Sequence, residues 1–399
     1  MIKPNQNNIK QILAGTDEVL PLSILEKKLT ENRPLIIKLG VDPTAANIHL
    51  GHVVVLEKLK DFQLLGHTII FLIGDFTARI GDPTGKSKTR PTLTEEAISI
   101  NISTYVNQIK RILDVSKMKI IYNGSWFDNF SSRDWMKLTS LVTVAQIIQR
   151  EDFSNRLNNN IPIGLHELLY PLLQGYDSIM LNADIEIGGT DQKFNMLMGR
   201  HLQEAYEKEG QVIITMPIIE GLDGIQKMSK SLKNDISLIE KAQTAFIKIM
   251  SINDTLMIKY YLILLRYSKE AVDNIINEKG HIEAKKLLAK NIITKYWSAE
   301  EANDAYNYFS DIIQNKKYST NTLEKLIIIP GKKYLIIDLI EHAHKNYSRS
   351  DIRRLIKAGA ISINGQKITD DKYIYEKKKS EEILKIGKQL LFALVDNAN

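Results

Sequence analysis

The sequence predicts an α/β fold: a doubly wound parallel-sheet domain, then an α-helical domain, then a small α+β domain. Three observations carry this expectation. Through residue 236, short β-rich runs bounded by glycine alternate with stretches of helical spacing. From about 237 to 325 the spacing turns helical, in a composition rich in Lys, Glu, Ala and Ile with no clear strand. Beyond 334, two short helical stretches lead into "AISINGQKI" (360–368), whose Asn364-Gly365 pair between alternating apolar residues marks a tight hairpin.

In chain order, "LIIKLGV" (35–41), "HTIIFLIGD" (67–75) and "MKIIYNG" (118–124) read as strands buried on both faces, since their apolar runs are nearly continuous. Between them, "HLGHVVVLEKLKDFQLLG" (49–66) and "LTEEAISINISTYVNQIKRILDV" (93–115) carry helical spacing. In such a sheet, ligands sit at the carboxyl ends of the strands. "IIIPGKKY" (327–334) breaks the helical pattern with Pro330 and Gly331 and reads as a linker. There is no internal repeat or low-complexity tract.

Bulk properties bound the function. At 399 residues the chain exceeds one ordinary core, and its 44% hydrophobic and 25% charged residues are those of a soluble globular protein. No run of 18 uncharged apolar residues offers a membrane span, and the N-terminus lacks a signal-peptide core. The absence of cysteine excludes disulfides and thiolate zinc sites and fits a reducing cytoplasm. Of the net charge of +6, most falls in residues 332–399, where 14 Lys and Arg face 9 Asp and Glu. That surplus suits either a solvated basic surface or an appended nucleic-acid module.

Four segments carry chemistry. "VDPTAANIHLGHVVVLEKL" (41–59) sets His49 and His52 around Gly51 at the start of a helix, where unpaired N–H groups and a partial positive charge favour phosphate. An N-cap with two partly exposed histidines is the plainer reading of that segment alone. "FLIGDFTARIGDPTGKSKTRP" (71–91) nearly spells a P-loop, but the spacing that ends at Gly85-Lys86-Ser87 needs glycine where Ile80 stands. Lys86, Lys88 and Arg90 remain as phosphate partners by another geometry. "HELLYPLLQGYDSIMLNADIEIGGTDQKFNMLMGR" (166–200) puts Tyr170, Gln174 and Asp177 on one helical face among leucines, an arrangement suited to a small polar zwitterion. It then ends a strand in Gly188-Gly189, with Asp191 and Gln192 where ribose-binding groups commonly lie. "QKMSKSL" (226–232) places two lysines on a loop punctuated by Gly221 and Gly224, as though to meet an anion.

The pairing of "HLGH" with "KMSKS", with an α/β pattern between them, resembles the class I aminoacyl-tRNA synthetases. Within them the chain is similar to bacterial tyrosyl-tRNA synthetases of the branch with a Met-Ser loop. The resemblance covers essentially the whole sequence, including "SRSDIRRLIKAGAISING" (348–365), which looks like an S4 RNA-binding domain. It implies a Rossmann-like catalytic domain over 1–236, with a dimerisation insertion near 125–165 and a KMSKS loop at 221–234. A helical anticodon-side domain (237–326) and an S4 domain (334–399) would follow. The implied reaction joins L-tyrosine to ATP, with Mg2+, as tyrosyl-adenylate, and then charges tRNA(Tyr). The implied assembly is a cytoplasmic homodimer with no membrane part and no structural metal.

Residue by residue, the resemblance implies that Thr44, His49 and His52 line the ATP side. Lys227 and Lys230, with Met228, Ser229 and Ser231 around them, would close over the triphosphate. Lys86 and Arg90 match positions that assist pyrophosphate. Gly40, Gly51, Gly189, Asp191 and Gln192 match the adenosine surroundings. Asp42, Asp82, Tyr170, Gln174 and Gln192 fall around the tyrosine, and Asp177 matches the carboxylate that bonds its phenolic hydroxyl. Arg349, Arg353, Arg354 and Lys357 would face tRNA. The chain departs from the better-known branch at Lys38, where that branch has a tyrosine that also bonds the substrate hydroxyl. Three readings stay open for Lys38: it bonds the phenolic oxygen, pairs with Asp177, or faces away. Leu39 and Val55 likewise replace two ribose-side residues. A tryptophan enzyme, a non-catalytic RNA-binding relative and a P-loop NTPase are the alternatives.

Overall fold

A computed structural model describes residues 6–43, 47–81, 95–314, 323–329, 331–344, 347–377, 382–387 and 390–396, without side chains at 6–7, 95–99 and 312–313. The chain forms two compact units, Met1–Glu240 with Lys248–Trp297, and Lys241–Ile247 with Ser298–Asn399. The helical stretch therefore divides between the two units.

The first unit is built on six strands: β1 (Glu18–Leu20), β2 (Ile36–Val41), β3 (Thr68–Ile73), β4 (Met118–Tyr122), β5 (Ile185–Gly189) and β6 (Val212–Met216). Their order across the sheet is β1-β6-β5-β2-β3-β4. β2 through β6 run parallel, and β1 joins β6 antiparallel at one edge. All five residues of β6 are buried, as are four of five in β5 and five of six in β3, which explains their unbroken apolar sequences. The Leu50–Leu64 helix follows β2 and buries Leu50, Val53, Leu56, Leu59 and Phe62. From β2 the chain moves outward to β3 and β4, then returns to lay β5 on β2's other side. That reversal opens a crevice at the carboxyl ends of β2 and β5.

One helix pair frames the crevice. The Leu165–Leu181 helix packs along Lys193–Ala205, and Gly175 of the first meets Gly199 of the second so closely that a Cβ on Gly175 would lie 3.1 Å from the Gly199 nitrogen. Two more helices of this unit, Asp254–Leu264 and Lys269–Tyr296, pack together, the second broken at Gly280 by a φ of +74°.

The second unit carries helices Ala299–Tyr308, Ile336–Ala343 and Arg349–Lys357 and a sheet of strands β7 (Glu324–Ile328), β9 (Ile361–Ile363), β10 (Gln366–Ile368), β12 (Glu382–Ile386) and β13 (Leu390–Asp396). The order is β10-β9-β12-β13-β7, and β8 (Tyr334–Leu335) pairs separately with β11 (Ile374–Tyr375). The predicted hairpin joins β9 to β10, with Asn364 (φ 50°) and Gly365 (φ 81°) forming its left-handed turn. Two expectations need correction. The run 118–124, read as a strand buried on both faces, forms edge strand β4, of which only Met118 is buried, because no strand covers its outer side. The stretch read as helix running into linker holds β7, which pairs parallel with β13 and buries Leu326 and Ile328. Its partner lies some 68 residues onward, so no local pattern announces the pairing (Glu324 opposite Phe392). Among the described residues, no helix is long and apolar enough to cross a membrane.

Candidate active site

The crevice opens into a cavity of about 300 Å³ at the carboxyl ends of β2 and β5. Of the sequence-predicted residues, Gly40, Asp42, His52, Tyr170, Gln174, Asp177, Gly189 and Gln192 line it. Two segments far apart in sequence thus converge, and the helical face read from residues 166–200 does point inward. Thr44, Asp82, Lys86 and Arg90 lie outside the described residues.

One side of the cavity is a closed network of hydrogen bonds. Tyr170 donates its hydroxyl to Asp42 Oδ2 (2.8 Å), while Thr77 donates to Asp42 Oδ1 (2.8 Å). Asp177, only 3% exposed, accepts from Trp126 Nε1 at 3.0 Å and from Asn123 Nδ2 at 3.3 Å. Burial pushes its carboxyl up to about 7, with the Lys38 ammonium and those two donors pulling the other way. Gln174 is gripped at both ends of its amide: Nε2 donates to Glu186 Oε1 (3.2 Å) and Oε1 accepts from Asn195 Nδ2 (3.0 Å). Asn195 also donates to Gln192 Oε1 (3.2 Å) and accepts from Arg150 Nη1 (3.2 Å).

Lys38 does not line the cavity. It is fully buried, and three oxygens stand within 3.0 Å of its ammonium: Glu186 Oε1, Gln174 main-chain O and Ser178 Oγ. Three acceptors match its three protons, which leaves none for a substrate oxygen. Of the three readings of this position, the structure realises the one in which the lysine faces away, its ammonium turned from the cavity onto Glu186, Gln174 and Ser178.

The histidines stand at the start of the Leu50–Leu64 helix, ring centroids 3.9 Å apart. His52 Nδ1 accepts from the His49 backbone N–H (3.2 Å), so the neutral ring carries its proton on Nε2. Burial lowers the His49 imidazole to about 4, helped by the Lys227 charge, and lowers His52 well below the usual histidine range, helped by His49. Both rings are therefore neutral near pH 7. His49 Nδ1 is buried without a partner among the described residues.

The lysine loop is tied to this helix start. Residues 236–238 bond to 48–50 through Leu50 N to Ile236 O (3.0 Å) and Leu238 N to Ile48 O (2.9 Å). Met228 is buried, its Cβ 3.6 Å from where a Cβ on Gly51 would sit. Within the loop, Asn234 donates to Asp223 Oδ2 (2.7 Å) and accepts from Ser229 N (2.8 Å), and Asp223 Oδ1 accepts from the backbone of Ile225 and Gln226. The Ser229 and Ser231 hydroxyls are 2.9 Å apart. The frame is ordered while its cations face solvent. Lys230 is exposed, and Lys227 rests on Asp191, 3.1 Å away.

The class I tRNA synthetase family of the W and Y enzymes matches residues 30–314, and the S4 domain matches 337–379. The tyrosine–tRNA ligase of Francisella tularensis is 46% identical over 96% of this chain and 97% of its own length. That of Aquifex aeolicus is 42% identical over 98% and 99%. The chain belongs to the tyrosine branch of the class I tRNA synthetases. Its fold matches the Archaeoglobus fulgidus tyrosyl-tRNA synthetase solved with L-tyrosine (TM-score 0.60, 22% identity, 75% of this chain and 99% of that one). It also matches a truncated mitochondrial tyrosyl-tRNA synthetase of Aspergillus nidulans (TM-score 0.61, 20% identity, 75% and 92%).

Sequence reasoning missed Asn123, Trp126, Glu186 and Asn195. Glu186 offered a signal, an acidic residue inside an otherwise apolar strand. Trp126 and Asn123 lay within or beside a stretch read as an insertion and offered none. In the second unit, Arg349, Arg353, Arg354 and Lys357 share the Arg349–Lys357 helix, capped by Ser348. Arg349 pairs with Asp338 and Glu341, Arg353 with Asp371, and Arg354 with Asp351.

Proposed function

We propose that the chain is a tyrosine–tRNA ligase. It activates L-tyrosine with ATP to tyrosyl-adenylate, releases pyrophosphate, and passes tyrosine to the terminal adenosine of tRNA(Tyr). The observation that carries the reading is the cavity itself. It holds a buried carboxylate, an amide and a tyrosine hydroxyl beside the N-terminus of a helix that begins in two neutral histidines.

The substrate's phenolic hydroxyl meets Asp177, and its ammonium meets Gln174, Tyr170 and Asp82, with Asp42 behind. Trp126 and Asn123 hold the Asp177 carboxylate in place before substrate arrives. A site built to bond a hydroxyl rejects the analogue lacking it, a rule for which tyrosyl-tRNA synthetases are themselves the standard example. ATP lies against Gly40, Gly51, Gly189, Asp191 and Gln192, with Thr44, His49 and His52 beside its phosphates. Mg2+ arrives with ATP as part of that substrate.

No protein nucleophile is required, because the tyrosine carboxylate attacks the α-phosphate. The chain supplies position, and donors where charge grows on the leaving pyrophosphate. Lys227 and Lys230, carried with Met228, Ser229 and Ser231, supply those donors, and Lys86 and Arg90 assist. Lys227 must leave Asp191 to do so. That exposed pair is worth little, so the exchange is easy.

The Arg349–Lys357 helix faces tRNA. Its surface ion pairs are weak enough to be traded for phosphates. We read the functional parts as 1–236 for catalysis, 237–326 on the anticodon side and 334–399 for RNA binding, the last joined by β7, although the compact units divide the 237–326 stretch between them. A second copy of the chain covers the 125–165 region, where Met136, Val144 and Leu157 are exposed, with Leu165 just beyond and Ile120 and Tyr122 on edge strand β4. The working compartment is the cytoplasm, as the bacterial relatives suggest.

The test is ATP–pyrophosphate exchange with each of the twenty amino acids. Exchange with tyrosine alone is expected. Exchange with tryptophan, or with none, overturns the reading. Deleting residues from Leu323 onward, so that β7 leaves with β13, should spare exchange and cripple tRNA charging.

A further inference from the structure

At the wall of the cavity, which Glu186 lines and Lys38 backs, lies a buried ion pair that the reaction itself does not use. Glu186 is 1% exposed and Lys38 fully buried, their charged atoms 3.0 Å apart. Burying two charges is unfavourable, and well-packed apolar residues of similar volume would often serve stability as well or better. A fold that keeps such a pair next to a ligand cavity is using it for something else.

The partners indicate what that is. Glu186 Oε2 accepts from Ser178 Oγ (3.1 Å) and Gln211 Nε2 (2.5 Å), and Oε1 accepts from Gln174 Nε2 (3.2 Å). A carboxylate can only accept, so it admits only the nitrogen end of the Gln174 amide. The carbonyl end is thereby turned away, toward Asn195, which donates to it (3.0 Å). An amide oxygen has a second lone pair, and Gln174 is half-buried and lines the cavity. A primary ammonium has only protons to offer, so its recognition depends on which end of that amide faces it. Lys38 completes the clamp by holding Glu186 with one proton and the Gln174 main-chain carbonyl (2.8 Å) with another, which ties strand β2 to the helix that carries Gln174.

We propose that Lys38 and Glu186 are positioning residues for the amino-acid substrate. Glu186, its charge balanced by Lys38, fixes the flip of the Gln174 amide by accepting from its nitrogen end, so that the carbonyl oxygen receives the tyrosine ammonium. The lysine therefore replaces a phenolic-oxygen ligand with a device acting at the other end of the substrate. This rests on the reading of the cavity as the tyrosine site.

The test uses two neutral double variants of the full chain, Lys38→Met with Glu186→Gln and Lys38→Met with Glu186→Met. Both remove the charges together, so neither leaves a lone buried ion. Only the glutamine offers Gln174 Nε2 an acceptor. Tyrosine-dependent exchange should give a tyrosine KM within about threefold of wild type for the first variant and raised at least about tenfold for the second, as for one unsatisfied buried donor. The KM for ATP should stay unchanged in both. Equal tyrosine KM values in the two variants, or ATP KM values that rise in step with them, overturn the proposal. Wild-type protein with no tyrosine-dependent exchange would instead defeat the tyrosine reading, leaving the two failures distinct.

Discussion

The end of the cavity proposed to receive the amino acid and the lysine loop are built on opposite plans. Around Asp177 and Gln174, every polar group named is held by others: Trp126 and Asn123 on the one, Glu186 and Asn195 on the other. In the loop, the backbone is held by Asn234 and Asp223, yet the proposed phosphate-binding cations Lys227 and Lys230 are exposed, Lys227 resting on Asp191. The difference teaches where selectivity and rate enhancement come from. Choosing between similar amino acids needs donors and acceptors fixed beforehand, whereas stabilising a leaving group needs charge that arrives during the step. Buried networks do the first well, and exposed lysines on an ordered frame suit the second.

Four changes would break or sharpen that contrast. The largest effect is expected for Lys230→Ala, which should slow tyrosyl-adenylate formation by about a hundredfold to a thousandfold with little change in ATP affinity. Rapid-quench measurement of adenylate beside equilibrium ATP binding checks this, and equal losses in both would make the lysine an ordinary binding group. Next comes Asp177→Ala, expected to lower kcat/KM for tyrosine about tenfold to a hundredfold and to leave phenylalanine nearly unchanged, since it removes the bond proposed to the phenolic hydroxyl, which phenylalanine lacks.

The third prediction is a pH dependence. Burial holds the Asp177 carboxyl at about 7, so its acceptor form grows in as pH rises through that value. kcat/KM for tyrosine, which reports groups of the free enzyme, should climb with a midpoint near 7, and Asp177→Asn should flatten that limb. Both histidines are neutral throughout, so no second limb near the usual histidine range is expected from them. The smallest effect belongs to Asn234→Ala. Losing its bonds to Ser229 and Asp223 should slow exchange by only about fivefold, roughly one hydrogen bond's worth, and leave the tyrosine-to-phenylalanine preference untouched.

The two regions also differed in how far the sequence revealed them. The loop was legible because two lysines just past a glycine pair have no packing reason to be there, and the helix start, whose histidines alone read more plainly as an N-cap, became legible through its pairing with that loop. Tyr170, Gln174 and Asp177 were readable because four- and three-residue steps on a leucine-rich helix share one face. What holds them was not readable. Trp126 reaches Asp177 across 51 positions and Asn195 reaches Gln174 across 21, contacts that no local period encodes. The resemblance located Lys38 as a departure, but only the fold could place Glu186 beside it, through the β2–β5 pairing of Lys38 with Glu186. The parallel strands and the hairpin followed from their patterns. β7 did not, since parallel pairing at a sheet edge depends on a partner far along the chain.

The contrast reduces to one ratio. Exchange rates with tyrosine and with phenylalanine, measured as kcat/KM on wild type, Lys230→Ala and Asp177→Ala side by side, separate selectivity from rate. Lys230→Ala should lose activity toward both substrates equally and keep the wild-type ratio, while Asp177→Ala should collapse the ratio. A ratio that falls in Lys230→Ala, or survives in Asp177→Ala, would contradict the division of labour between the buried network and the exposed loop.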